Sequence, residues 1–461
     1  MATTISPSTN SSPWPVRLLV VADLGGDVAA PRPATGATLD DLMASMRPRL
    51  GPGPGVSREI LFRSLADFSP EALRLALPAA VSPDESWKAV DALLHAPRFQ
   101  AIEAAWRGLD RLLRQAGDGR DVEIDVLDLA TPALRASPDR IFGGPERACA
   151  AVLVDSDIGG ALADGAFLRE VAALAERRRT AVLLGAAPSL LGLRHAAHLP
   201  GLSDPADRLD AAWGGGWRAF RASDAARWVG LTINRFLLRP VYTQEAGAHA
   251  ETASPGRPDD YLWGRGVWLA GADLVRSRRD RGDPLTLSGI VPERLHLELP
   301  VWTWSSPGGA RRSSSLEAAL DLEAVQPLVR SGLSPLFESA GAGSAVLPLI
   351  VNAYRTDPRK IPVEGTLAHT LVLGRFVSAL AATVPAVEAE PDDAAADLLL
   401  RGALQKALAS RLTDGVSATL RTAVERPQGR RVARAFLRGD LTGSGRDAEI
   451  ELSIPLTEGA A

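Results

Sequence analysis

HAPRFQAIEAAWRGLDRLL, residues 95–113, reads as one amphipathic helix. Pro97 suits a first helical position, where its missing N–H costs nothing. Phe99, Ile102, Trp106, Leu109 and Leu113 recur at intervals of three and four and draw a single apolar stripe. Gly117 stands where a helix closes in a left-handed residue. The order Phe99, Gln100, Glu103, Trp106, Arg107, Gly108 within that helix is particular enough to ask whether it serves a reaction, a ligand or an assembly.

Around it the chain alternates strands and helices. VRLLVVAD (16–23) is an almost unbroken apolar run closed by Gly25 and Gly26, the pattern of a strand buried on both faces. A short helix is expected at 38–46, a break at GPGPG (51–55) and a strand over SREILFRSL (57–65). DFSPEALRLAL (67–77) then carries Ser69 as N-cap, Pro70 at the first position and Glu71 near the positive helix end. PAAVSP, near residue 80, reads as a join, followed by a helix from Pro83 to Leu94. VEIDVLDL (122–129), AAVLVD (150–155), a helix at 165–178, TAVLLGA (180–186) and a helix after Pro188 make a β-α-β-α order. Farther on come an arginine- and aromatic-rich block (205–245), a loop at 246–260, a helix over YLWGRGVWLAGADLVRSRR, strands within 285–350 and helices at 365–383 and 392–412. The end of the chain reads as three strands joined by PQG and GSG turns, an antiparallel meander. The fold class is mixed α/β.

Composition narrows function. With 46% hydrophobic and 23% charged residues and a net charge of -4, the chain is of the globular class and not a nonspecific polyanion binder. Cys149 is the only cysteine, so no intrachain disulfide or cysteine-based zinc site is possible. The N-terminus has no basic-then-apolar leader pattern, and the run AVLLGAAPSLLGL is too short and too interrupted to span a bilayer. A cytoplasmic protein is expected, with no membrane insertion and no nucleic-acid partner.

Catalytic signatures are missing. The three lysines follow Trp87, Arg359 and Gln405, so no Gly-Lys-Ser/Thr phosphate loop exists. No Gly-x-Ser-x-Gly elbow occurs, and the glycine-rich pieces are turns rather than a dinucleotide fingerprint. His195 and His198 lack a third ligand at metal spacing. Cys149, beside a buried strand, reads as a small core residue. Asp155 and Asp157, at the end of AAVLVD, hold the position where α/β enzymes place acids, yet capping of the loop accounts for them. The arginines and aromatics of the 205–245 block suit a protein interface or a core better than stacked bases, given the negative net charge.

The residue order itself resembles a known family. HAPRFQAIEAAWRGLDRLL, WRAFRASDAARWVGLTINRFLLRPVY (217–242), YLWGRGVWLA (261–270), AAPSLLGL (186–193) and the closing strands resemble the large sheath subunit of bacterial type VI secretion systems, TssC or VipB. VRLLVVADLGG, LDDLMASMRPRL and ILFRSLADFSPEALRLAL are similar to the small sheath subunit, TssB or VipA. The resemblance implies a single-chain fusion: a disordered stretch 1–15, a small-subunit-like segment 16–80 and a large-subunit-like region 81–461. It implies a sheath-subunit fold, a central sheet flanked by helices with a C-terminal antiparallel meander, acting without catalytic residues, cofactor or metal. Expected partners are further copies of the chain in a helical tube, an inner-tube protein and a baseplate. The residues expected to hold the fold and its assembly together are Phe99, Gln100, Glu103, Trp106, Arg107, Gly108, Trp217, Arg218, Phe220, Arg221, Arg227, Arg235, Phe236, Arg239, Tyr261 and Trp263. Only LPAAVSPDESWK separates the small- and large-subunit motifs, where the family has a long arm for strand exchange and for the disassembly ATPase ClpV. A closed cage or isolated rings are the alternative that follows, and an α/β metabolic enzyme using Asp155 or Asp157 is the alternative of another class.

Overall fold

The computed structural model describes residues 16–26, 32–34, 38–52, 58–77, 82–117, 122–143, 149–243, 250–254, 257–281, 287–305, 309–339, 341–355, 361–408, 418–442 and 444–457. The expected disordered stretch 1–15 lies outside them, as do most of the GPGPG break and part of the 246–260 loop.

A seven-stranded sheet organises the chain. Its order is Leu333–Pro335, Val229–Ile233, Ala181–Ala186, Ala151–Ile158, Val16–Ala22, Val122–Asp128, Arg32–Ala34. All neighbours run parallel except Arg32–Ala34, which pairs antiparallel with Val122–Asp128. The apolar run nearest the N-terminus thus sits well inside the sheet, with Leu18 opposite both Ile124 and Ala151. Its period of two explains why residues 18–22 are all apolar. Leu18 and Val20 enter one core, Leu19 and Val21 the core on the other face.

Helices cover both faces. Pro97–Ala116, Gly266–Arg281 and Leu367–Ala389 lie in the first core, which also takes Phe62 and Phe68 from before residue 80. Leu162–Arg178 and Leu322–Arg330 lie in the second. The C-terminal meander forms as expected, Thr419–Glu425, Val432–Gly439 and Ala448–Pro455, all antiparallel.

Three expected elements differ. The SREILFRSL strand is reduced to Ile60–Leu61, paired with Arg49–Leu50, because Ser64 and Asp67 exchange cap hydrogen bonds and start a 3-10 turn at Leu65. The helix expected from Tyr261 starts only at Gly266; Trp263–Arg265 is a strand against Arg235–Leu237. Gly264 permits that pairing, since a Cβ there would come within 2.9 Å of the Phe236 ring. After Pro188 a 3-10 turn, Pro188–Leu191, ends at Gly192 in the left-handed region.

Leu367–Ala389 is 23 residues long and, by length and composition alone, apolar enough to cross a membrane. Half of its most apolar window is buried within the fold. Gly374 lets it approach closely, since a Cβ there would meet the Arg179 carbonyl at 2.7 Å. Both observations describe a core helix.

The same helix buries His369, 3% exposed, with no hydrogen-bond partner for its Nε2. Burial pushes its pKa down from the ordinary 6.5 to about 4. The unfolded chain therefore binds one more proton between those values, so stability rises with pH across about 4 to 6.5 and is lost as pH falls through that window. His369→Gln is expected to flatten that part of a Tm-versus-pH curve and to leave the curve above pH 7 parallel to the parent's.

Candidate functional site

The helix Pro97–Ala116 is where the sequence concentrated its signals, and each signal has a contact. Phe99 packs edge-on to Phe62 and Phe68, at centroid separations of 5.9 and 5.7 Å, while Phe62 and Phe68 stack at 4.4 Å. Trp106 is fully buried and its Nε1 donates to the Leu24 carbonyl at 2.9 Å, tying the helix to the loop after the first strand. Gly108 faces Trp268 of the Gly266–Arg281 helix, so closely that a Cβ would come within 2.4 Å of the indole. Gly108→Ala is therefore expected to cost about 1–3 kcal/mol by overpacking, read as a lower urea midpoint at unchanged m-value. Gln100 only grazes the neighbouring loop, Nε2 to the Asp259 carbonyl at 3.5 Å.

Glu103 is the polar centre of this region. It is 0% exposed and accepts from Arg107 Nε at 2.7 Å and Arg239 Nε at 2.8 Å. Arg239 continues to Glu251, 2.6 Å from Nη1 and 3.1 Å from Nη2, and lies over the Tyr242 ring at 4.3 Å. The Tyr242 N–H donates to Glu251 at 3.0 Å, and Arg107 reaches the Tyr242 hydroxyl at 3.3 Å. Burial alone would lower the Arg239 pKa, but Glu103 and Glu251 outweigh it and hold the guanidinium above its ordinary value. Two acids and two arginines thus neutralise one another where no water reaches Glu103.

The 205–245 block divides. Trp217 and Phe220 are buried beside Trp213, and Trp217 Nε1 donates to the Ser331 carbonyl at 3.2 Å. Arg235 pairs with Glu317 at 2.6 Å, and Phe236 is buried. Arg227 lies 3.5 Å over the Tyr354 ring. Arg218 stays exposed against Asp210. Tyr261 and Trp263 join Trp302 in a separate aromatic cluster, at centroid distances of 5.2 and 5.6 Å from it. The structure gathers Glu103, Arg107 and Arg239 into one contact; the other named residues lie at separate places in the chain, most of them packed and Arg218 at the surface.

The position an α/β enzyme would use is also visible. A cleft of about 280 Å³ opens at the C-terminal ends of three strands, lined by Asp157, Gly185, Thr232, Asn234, Arg265 and Glu317 among others. Asp157 and Glu317, two of its acids, are engaged. Arg265 bridges Asp155 at 3.0 Å and Asp157 at 2.9 Å, Trp268 Nε1 donates to Asp155 at 3.1 Å, and Arg235 holds Glu317. Gly185 leaves room for Asp157, whose Oδ1 would be 2.0 Å from a Cβ there. Burial pushes the Cys149 thiol up to about 11, so it is no thiolate at neutral pH. Among the described residues no group of three or more His, Cys, Asp or Glu is placed to hold a metal.

Glu251, Glu317 and Arg265 were not singled out from sequence. Glu251 lies in a loop, 12 residues from Arg239 but 148 from Glu103, and nothing local marks it. Trp268 was legible only as an apolar helix residue.

Glu103, Arg107, Arg235, Arg239 and Arg265 are thus held in internal ion pairs. Residues 85–143 and 140–348 match the family described as VipB, EvpB/VC_A0108, tail sheath N-terminal domain. The match spans more than half of the chain, and the chain belongs to this tail sheath family. The type VI secretion system sheath protein TssC1 of Pseudomonas aeruginosa is 24% identical over 314 residues, 60% of this chain. The chain spans 63% of the length of that relative. Solved structures with similarity include a chain of the anti-feeding prophage baseplate (12% identity, 100% of this chain and 96% of that one, TM-score 0.43). A sheath tail protein from Desulfitobacterium hafniense is also similar (12% identity, 71% and 60% covered, TM-score 0.38).

Proposed function

We propose that this chain is a self-assembling sheath-type subunit that polymerises through its own faces into a helical tube, with residues 16–80 in the place of a small sheath subunit and 81–461 in that of a large one. Membership of the tail sheath family over residues 85–348 carries the reading. The C-terminal meander supports it. Among the described residues Thr419–Glu425 and Ala448–Pro455 each pair on one side only, leaving rows of main-chain donors and acceptors along two edges. A head-to-tail contact between such surfaces propagates into a helical tube where its rotation does not close, and into a ring where it does. Glu103, Trp106, Arg107 and Arg239 act within each subunit, stiffening the body that the contacts join.

An inner-tube protein and a baseplate are the partners this reading adds, in a cytoplasmic assembly with no catalytic step. The short connection between the small- and large-subunit motifs favours one second reading, a closed particle or ring built from the same faces. Sedimentation velocity on the purified chain tests both. Particles far heavier than the 48.6 kDa chain, growing with concentration, are expected. A single species of 48.6 kDa at every concentration and salt overturns both.

A further inference from the structure

The cleft at the strand ends carries an arginine pair that packing alone does not call for. Arg235 and Arg265 are direct cross-strand partners where Arg235–Leu237 pairs with Trp263–Arg265. Like charges set opposite each other on one face, about 5 Å apart at the Cβ atoms, repel. Each arginine meets acid on one flank only. Arg235 Nε lies 2.6 Å from Glu317, while Arg265 places Nη1 3.0 Å from Asp155 and Nε 2.9 Å from Asp157. The other tips, both Nη atoms of Arg235 and Nη2 of Arg265, have no acceptor among the described residues. Both side chains line the cleft and stay open to it, at 36% and 29% exposure.

The backbone under the pair is preset. Asn234 is left-handed at φ 75°, a conformation asparagine tolerates better than most side chains. Its Oδ1 accepts from the N–H groups of Arg235 at 2.9 Å and Ala318 at 3.1 Å. Its Nδ2 donates to the Ala318 and Leu336 carbonyls at 2.8 and 3.2 Å. Arg235 is thus fixed at the start of its strand, and a ligand need order little on arrival.

Open guanidinium tips match a carboxylate, which takes paired N–H···O bonds from planar forks. Charge narrows the ligand further. The lining sets Asp157, Asp259 and Glu317 against Arg194, Arg235 and Arg265, and a fourth acid, Asp155, stands buried behind Arg265. A bare anion would join a balance that already leans negative, whereas a molecule carrying its own cation would not. Asp259, on the rim, is exposed, and its carboxylate has no partner among the described residues. Ala187, Pro188 and Ala196 supply small apolar wall. At about 280 Å³ the space suits a small molecule rather than a dinucleotide.

We infer that this cleft binds a small zwitterion of the α-amino-acid class, its carboxylate on the Arg235 and Arg265 tips, its ammonium toward Asp259 and a short apolar side chain against Ala187, Pro188 and Ala196. All these groups belong to one copy of the chain, so binding needs no neighbour.

Titration calorimetry of the full-length chain with leucine tests it, beside two molecules that each lack one charged end: isocaproate, without the ammonium, and isoamylamine, without the carboxylate. Saturable binding of leucine is expected, at least tenfold weaker for either truncated molecule. Arg235→Lys keeps a charge beside Glu317 but loses the fork, and should weaken leucine at least tenfold. Asp259→Asn, at an exposed position, should weaken leucine at least fivefold and leave isocaproate no weaker. Should Arg235→Lys fail to fold by circular dichroism, Asp259→Asn and the two truncated molecules carry the same comparison. No saturable heat from millimolar leucine overturns the inference. So does leucine binding that neither substitution weakens, which would put the ligand elsewhere on the chain. Isocaproate binding as tightly as leucine overturns it too, since the ammonium would then have no partner.

Discussion

Glu103→Ala is expected to lower stability by about 3–5 kcal/mol, the usual consequence of removing one partner from a buried ion pair. The direction follows from what stays behind. Arg239 is 6% exposed, and without Glu103 its Nε loses its acceptor while Glu251 remains on the far side of the guanidinium. Arg107 loses its partner too, but at 20% exposure it can turn to water. The measurement is a urea midpoint by circular dichroism, with Glu103→Gln alongside. Glutamine keeps the volume and an acceptor while removing the charge, so it should recover part of the loss. A fall below about 1 kcal/mol for the alanine variant would mean that water enters and solvates Arg239 in place of the acid.

Trp106→Ala is expected to cost a similar amount, about 3–5 kcal/mol, as for other large buried aromatics. Two effects combine. The indole is fully buried against the first core, and its N–H is the donor to the Leu24 carbonyl. Trp106→Phe separates them, because it keeps most of the apolar volume and loses the hydrogen bond, for which about 1–3 kcal/mol is the cost of a stranded buried acceptor. Thermal unfolding of the three proteins side by side gives the order parent, Phe, Ala; a Phe variant as weak as the Ala variant would show that the hydrogen bond, not packing, holds the loop.

Much of the architecture could be read from local pattern. VRLLVVAD, AAVLVD and TAVLLGA are short and largely apolar on both faces because both faces of the sheet are covered. The stripe of Pro97–Ala116 was equally plain, as was the meander with its turn residues. Strand order was not legible. Val16–Ala22 lies between strands that begin more than a hundred residues later, and no local signal encodes that pairing. YLWGRG read as helix because its apolar residues continue into a real helix; the strand depends on Phe236 lying opposite Gly264. Arginine and aromatic residues in the 205–245 block were visible as a cluster in sequence. That they divide among core, ion pairs and, at Arg221, main-chain carbonyls follows only from where Glu317, Glu103 and Ala353 come to lie.

Assembly is the central claim, and negative-stain electron microscopy of the purified chain, expressed alone, tests it most directly. The account predicts long particles with a regular axial repeat, built from this one polypeptide. Fields of single 48.6 kDa molecules, unchanged on concentration, would contradict it.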